Sequence, residues 1–344
     1  MLEYYIHNQE FAFESGEKLD HLKIAYQIIG NPEAKKLIWV CHALSGNTDV
    51  LDWWGGLFGI NRLFDPSEYK IVCANVLGSC YGSTGPDDFE EGSVFPLVTI
   101  RDMVNAHEVL RKVLGIERVD VLIGASLGGQ QALEWSIQNP EFSDHLILIA
   151  TNAVHSPYGR GFNEAQRMAL KADPTFGQEN GGKQGLAAAR AIAMLSYRSY
   201  NDFSIKQADT EGRINDFNAS SYLNYQGSKF IERFQAKSYY VLSKSMDSHD
   251  VGRERGGVEK ALKLISAKTL VVAVDSDVLF PQLEQKRLVE GIPDAVLGFI
   301  KSPYGHDAFL IEYEQLSGII KDFLYNDFKI NKPTVVKTTL KNVR

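Results

Sequence analysis

One stretch constrains this chain more than any other: residues 119–135, VDVLIGASLGGQQALEW. Val119, Val121, Leu122 and Ile123 form a short β-branched, apolar run, which predicts a buried strand. Residues 128–138 follow, with Ala132, Leu133 and Trp135 available for one apolar face. That pattern predicts a helix, which Pro140 stops. Between them, Gly124-Ala125-Ser126-Leu127-Gly128 has the Gly-x-Ser-x-Gly spacing of a nucleophile elbow. Such a turn is too tight for side chains at its flanks, hence the glycines. It holds the serine hydroxyl clear at the carboxyl end of a sheet and aims helix-start N–H groups at it. The five-residue pattern alone also fits an ordinary Gly-rich turn. The strand before it and the helix after it supply the context that the motif requires.

The same alternation recurs along the chain. Residues 37–40, 69–75, 146–150, 269–274 and 296–300 read as buried strands. Helices are predicted over 99–114, near 282–290 and from about 308 to 325. The first carries Ile100, Met103, Val104, Val109, Leu110 and Val113 on its inward side. Apolar strands alternating with helices predict an α/β fold with a mostly parallel central sheet covered on both faces. Residues 4–13 and 22–29 alternate in polarity and predict an antiparallel pair at the sheet edge. The Gly- and Ser-dense residues 76–86 read as a surface loop. From 156 to about 262 the strand pattern gives way to helical segments such as 184–196 and 238–246. The expected organisation is a discontinuous core, 1–155 and 263–344, with a helical lid, 156–262, inserted in it. Residues 327–344 are polar and basic and predict a loosely held tail.

Hydrophobic residues are 44% of the 344, enough for a large core. A net charge of −7, with no long Lys/Arg cluster, argues against a nucleic-acid partner. Cys41, Cys73 and Cys80 lack metal-ligand spacing and read as free thiols of a reducing compartment. No metal is expected. The first residues show no basic-then-apolar leader pattern, and no apolar run reaches membrane-spanning length. A cytoplasmic protein without a membrane partner is the expectation.

An elbow serine needs a base to take its proton, and the base needs a carboxylate to orient it. In this motif class the chain order is Ser, acid, His. A lone loop histidine is ordinarily solvated and idle. His306, however, follows the last predicted strand, so its loop falls at the same sheet end as Ser126. Asp275 and Asp277 both follow strand 269–274, and periodicity does not separate them. An oxyanion hole also needs two donors. The backbone N–H of Leu127 is one candidate, and that of Leu44, in the loop after strand 37–40, is the other. His42 reads as structural, since His306 fills the base role, and Cys41 as a buried small residue.

Taken in order, CHALSG, NVLGSCYGSTGP, FPLVTIRDMV, GASLGGQQALEW, EAQRMALKADP, GLAAARAIAMLSYRS, SYLNYQG, SKSMDSHDVGRERGG, SDVLFP and YGHDAFLIE resemble the homoserine O-acetyltransferase family of the α/β-hydrolase fold. The resemblance runs from about Leu37 to Glu312. It selects Asp277 as the acid, through the Ser-Asp-x-Leu-Phe-Pro pattern. It implies that Arg190 binds the substrate carboxylate with Tyr197, and that Asp307 holds the substrate amino group. A guanidinium suits a carboxylate, and a carboxylate suits an ammonium. By itself, Arg190 reads as a surface arginine and Asp307 as an N-cap of the closing helix. The activity implied is acetyl transfer from acetyl-CoA, a co-substrate, to the hydroxyl of L-homoserine, a step toward methionine. It runs through an acyl-serine with ping-pong kinetics and no permanently bound cofactor. A homodimer formed through the lid is also implied. The departures are Leu127 and Gln130 for Met, Gln235 for Asp, Lys237 for Asn and His107 for Gln. Competing readings on the same three residues are a succinyl donor, a serine acceptor, or a hydrolase.

Overall fold

The computed structural model describes residues 1–90, 94–210 and 212–325. The tail expected over 327–344 lies outside the described residues. Eight strands form one sheet: β1 (Glu3–His7), β2 (Leu22–Gly30), β3 (Lys36–Cys41), β4 (Tyr69–Ala74), β5 (Val119–Ala125), β6 (Ser143–Ile149), β7 (Lys268–Val274) and β8 (Ala295–Ile300). Across the sheet they run β1-β2-β4-β3-β5-β6-β7-β8. The β1–β2 and β2–β4 pairs are antiparallel, and every other neighbouring pair is parallel. The expected edge pair is therefore present, although residues 11 and 12 leave it. Phe11–Ala12 pairs instead with Lys18–Leu19, apart from the sheet.

The central strands are apolar on both sides because both faces are covered. On one face lie α1 (Ile100–Val113), α2 (Leu127–Gln138) and α8 (Gln282–Gly291), packed over Trp39, Leu122, Trp135 and Phe142. Trp39 meets Trp135 edge-on at 4.9 Å between centroids, and Trp135 stacks on Phe142 at 4.4 Å. Each such fully buried aromatic contributes on the order of 2–3 kcal/mol. On the other face, α9 (Tyr313–Tyr325) and residues 50–64 bury Trp54, Phe58, Phe64, Ile320 and Phe323. Between β6 and β7 the chain forms α3 (Pro157–Ala172), α4 (Lys183–Tyr197), α5 (Tyr200–Lys206), α6 (Asn218–Ile231) and α7 (Ala236–Asp247).

Three expectations need correction. Helix α1 begins at a Thr99–Asp102 capping box as its sequence suggests, but Val113, its last residue, is 54% exposed instead of facing inward. The closing helix does not start near residue 308. A 3-10 turn, Gly305–Leu310, comes first, and α9 begins only at Tyr313. Residues 76–86 are not a surface loop, because most of them are buried. Their hydroxyls replace strand partners. Ser83 Oγ accepts from Ala25 N at 3.0 Å and donates to Asn75 O at 2.6 Å, and Thr84 Oγ1 accepts from Lys23 N at 2.8 Å.

Helix α2 crosses β3 so closely that a Cβ on Gly128 would stand 2.0 Å from the carbonyl oxygen of Cys41. Backbone on both sides cannot yield cheaply. Gly128→Ala is expected to lower unfolding stability by about 3 kcal/mol or more, read by urea denaturation.

Candidate active site

The first element of the site is the elbow between β5 and α2. Ser126 sits at φ 56°, ψ −123°, a conformation that costs a non-glycine residue roughly 1–3 kcal/mol. Three hydrogen bonds hold it there: Ser126 N to Ile149 O at 3.0 Å, Gln130 N to Ser126 O at 3.1 Å, and Thr151 Oγ1 to Ser126 O at 3.0 Å. A Cβ on Gly124 would lie 2.1 Å from Gly128 O, so the turn closes only with glycine at both flanks.

The loop after β8 brings His306 to that hydroxyl. Its Nε2 accepts from Ser126 Oγ at 2.9 Å, and its Nδ1–H donates to Asp277 Oδ2 at 2.7 Å. An ionised carboxylate only accepts, so the Nδ1 proton and the free Nε2 lone pair follow from the Asp277 contact. The other oxygen, Oδ1, accepts from Leu279 N at 2.8 Å and Phe280 N at 2.9 Å. Asp277 is thus fixed by the turn after β7. Asp275, the rival by sequence, faces away and caps Ser302 N at 2.9 Å, which anchors the His306 loop. The imidazole is 3% exposed and stacks on Phe280 at 5.1 Å, with Phe309 edge-on. Burial disfavours its charge, but the charge and hydrogen bond of Asp277, with help from Asp307, outweigh this and raise its pKa above the ordinary value.

The second loop at this sheet end starts at His42. Cys41 is in register with Gly124, so the residues following β3 and β5 leave the sheet side by side. This brings the backbones of Leu44 and Leu127 to the end of the sheet that carries Ser126. Gln131 Nε2 ties the two together, donating to His42 O at 3.1 Å and to Leu127 O at 3.3 Å. His42 accepts from Val76 N at Nε2 and donates to Ala43 O from Nδ1, and burial lowers its pKa to about 4. It is a neutral brace between two loops. Cys41 is fully buried, and that burial pushes its thiol far up, away from thiolate chemistry.

Helix α4 lies over this end. Arg190 stacks on Phe230, with its guanidinium carbon 4.8 Å from the ring centroid, and on Tyr197 at 5.5 Å. Its Nε is buried with no hydrogen-bond partner among the described residues. The Tyr197 ring is 5.7 Å from that of His306. Desolvation raises the Tyr197 pKa, so it stays a neutral phenol. Asp307 lies inside the 3-10 turn and does not cap the closing helix. Desolvation raises its pKa, with Arg198, Arg190 and His306 opposing.

Sequence reasoning missed several neighbours. Arg198 stands 3.4 Å from Asp307, yet nothing in its spacing marks it. Arg233 donates to Ser45 O at 2.8 Å and to Tyr81 Oη at 3.0 Å, clamping the loop that holds Leu44. Tyr239 donates to Gln166 Oε1 at 2.6 Å. Gln130, already marked by sequence as a departure, is fully buried and donates to Asn152 Oδ1 at 3.1 Å, which opens a polar chain through His155 and Asn163 to Asp247. A glutamine at that position therefore has partners that a thioether would lack.

A family model described as the alpha/beta hydrolase fold matches residues 36–313. A curated homoserine O-acetyltransferase of Cyclobacterium marinum is 47% identical over 325 residues, which cover 92% of this chain and 93% of that protein. Among solved structures, homoserine O-acetyltransferase from Staphylococcus aureus superposes with a TM-score of 0.81 at 30% identity, covering 97% of this chain and 98% of that one. An acetylester hydrolase from Corynebacterium glutamicum gives 0.83 at 23% identity, over 94% and 96%, a likeness of fold alone. The identity to the curated transferase extends over nearly the whole of both chains, and the chain belongs to the homoserine O-acetyltransferase family of the α/β-hydrolase fold.

Proposed function

We propose that this protein transfers an acetyl group from acetyl-CoA to the side-chain hydroxyl of L-homoserine, with Ser126, His306 and Asp277 as its catalytic residues. His306 takes the Ser126 proton as the hydroxyl attacks the thioester carbonyl. The tetrahedral oxyanion is held by the backbone N–H groups of Leu127 and Leu44. Collapse expels the CoA thiolate, which receives the proton from His306, and leaves an acetyl ester on Ser126. Homoserine then enters, with its carboxylate on Arg190 and Tyr197 and its ammonium on Asp307. His306 accepts the homoserine hydroxyl proton as that oxygen attacks the ester, and then returns it to Ser126. The kinetics are ping-pong, and acetyl-CoA is a co-substrate, with no resident cofactor.

One observation carries the reading. A buried, unpaired guanidinium nitrogen and a carboxylate flank one nucleophile–imidazole pair, as an amino-acid acceptor needs and a simple esterase does not. In this proposal residues 156–262 form a lid on the core, 1–155 and 263–344, and keep water from the acyl-enzyme. Leu195, Ile205, Ile214 and Tyr225 are apolar and half or more exposed on that segment, which supports a homodimer formed through it. No described helix is long and apolar enough to cross a membrane, in keeping with a cytoplasmic site of action.

The decisive experiment is intact-protein mass spectrometry after acetyl-CoA or succinyl-CoA, each chased with homoserine, serine or water. An acetyl adduct on Ser126 that homoserine clears fastest is the expected result. An adduct from succinyl-CoA alone, or one cleared fastest by serine or by water, replaces this reading with another acyl transfer or with hydrolysis. Arg190→Ala is expected to raise KM for homoserine about 100-fold while acetylation by acetyl-CoA stays within about threefold.

A further inference from the structure

Asp307 does not stand alone. Arg198 Nη2 lies 3.4 Å from its Oδ2, and Arg198 Nη1 lies 3.8 Å from Asp202 Oδ2. Asp202 is itself held, since Lys206 Nζ is 2.8 Å from its Oδ1, and that ammonium sits 4.2 Å above the Tyr304 ring. Ser199 accepts from Asp202 N at 3.1 Å and donates to Pro303 O. The backbone closes the same contact. Gly305 has φ +67°, and a Cβ there would lie 2.7 Å from both Ser199 N and Tyr197 O. Residues 197–206 thus lie flat against the loop that carries His306 and Asp307.

We infer that Arg198 is a positioning residue that orients Asp307 and keeps it ionised, and so makes the site demand an ammonium group on the acceptor. This rests on the reading of Asp307 as the ammonium partner. The physical need is plain. A buried carboxylate tends to keep its proton, and a neutral acid attracts an ammonium far less than a carboxylate does. Desolvation does raise the pKa of Asp307. Asp277 adds to that, while Arg198, Arg190 and His306 oppose it, and the neutral Tyr197 phenol faces the same space. Arg198 is the one of these cations that the proposed chemistry leaves uncommitted. Arg190 is to be spent on the substrate carboxylate, and His306 must be neutral to act as base. The nearest approach of Arg198 to this carboxylate is through Oδ2. Asp202, itself held by Lys206, backs Arg198 from behind, so the guanidinium does not need to reorganise when substrate arrives.

The test uses the full chain and separates the two half-reactions. Acetylation is followed by intact mass with acetyl-CoA. Transfer is followed as loss of the adduct to homoserine, to 4-hydroxybutyrate (no ammonium) and to 3-aminopropan-1-ol (no carboxylate). Arg198→Met is expected to leave acetylation within about threefold of wild type and to raise KM for homoserine and 3-aminopropan-1-ol about 30-fold, with a much smaller effect on kcat. KM for 4-hydroxybutyrate should change less than about threefold. The acid side of the KM profile for homoserine should move up, because Asp307 then ionises later. Arg198→Lys should recover part of the loss. If Arg198→Met fails to fold, Arg198→Gln is read in the same assays. Equal losses for homoserine and 4-hydroxybutyrate, or an unmoved KM profile for homoserine, overturn the role given to Arg198. Asp307→Asn distinguishes the two levels. Unchanged homoserine KM there sinks the ammonium reading itself, whereas a loss there alongside an unaffected Arg198→Met sinks only the inference about Arg198.

Discussion

Ser126→Ala should lose acetyl transfer to homoserine by about 10⁴-fold or more in kcat, roughly 5 kcal/mol of transition-state stabilisation. The variant should also show no acetyl adduct by intact mass after acetyl-CoA. Alanine meets the same steric limits at φ 56° as serine, so the elbow should persist and thermal unfolding should stay near that of the wild type. Residual transfer with an adduct on another residue would move the nucleophile elsewhere. Nothing in the neighbourhood prepares that outcome, because burial raises the thiol pKa values of Cys41 and Cys80 and keeps them protonated at neutral pH.

Asp277→Asn is expected to cost about 10³- to 10⁴-fold in kcat with little change in stability. The amide can present an N–H where the carboxylate presented Oδ2, and the Nδ1–H of His306 then loses its acceptor. The other tautomer places the proton on Nε2, where the serine hydroxyl has nothing to donate to. The pH profile gives a second readout. Burial lowers the pKa of His306, while the charge of Asp277, its hydrogen bond and Asp307 raise it to a net position above the ordinary value. The base works when neutral, so the acid limb of wild-type acetylation should lie above pH ~6.5. In the asparagine variant the two Asp277 contributions vanish and desolvation dominates, so the limb should move to lower pH. A limb that moves up, or does not move, would mean that another group controls it.

The proposed nucleophile and base could be picked out because chain order places both at one sheet end. Ser126 follows a strand and precedes a helix, and His306 follows the last strand. The residues alone offered the proposed acid only as a pair of aspartates. Asp275 and Asp277 leave the same strand two residues apart, and the choice is made by the turn that follows. There Leu279 N and Phe280 N point at one carboxylate and Ser302 N at the other. No periodicity encodes that. The Gly- and Ser-rich residues 76–86 misled for a related reason. Their composition is that of a solvated loop, but the hydroxyls of Ser83 and Thr84 serve as internal partners for β2. The strand rhythm reported the parallel sheet well, since strands covered on both faces must be apolar throughout. Arg198 was invisible because its meaning depends on a contact across more than a hundred residues of chain.

Gly305 has a consequence for engineering. The space beside it is filled by the backbone of residues 197–199, so the helical segment and the histidine loop were shaped as one fitted joint. Exchanging the helices of this protein for those of a relative should succeed only when the recipient also brings a glycine at that point and a partner for the neighbouring carboxylate. Acceptor preference in such chimaeras should follow the joint as a unit rather than either parent segment.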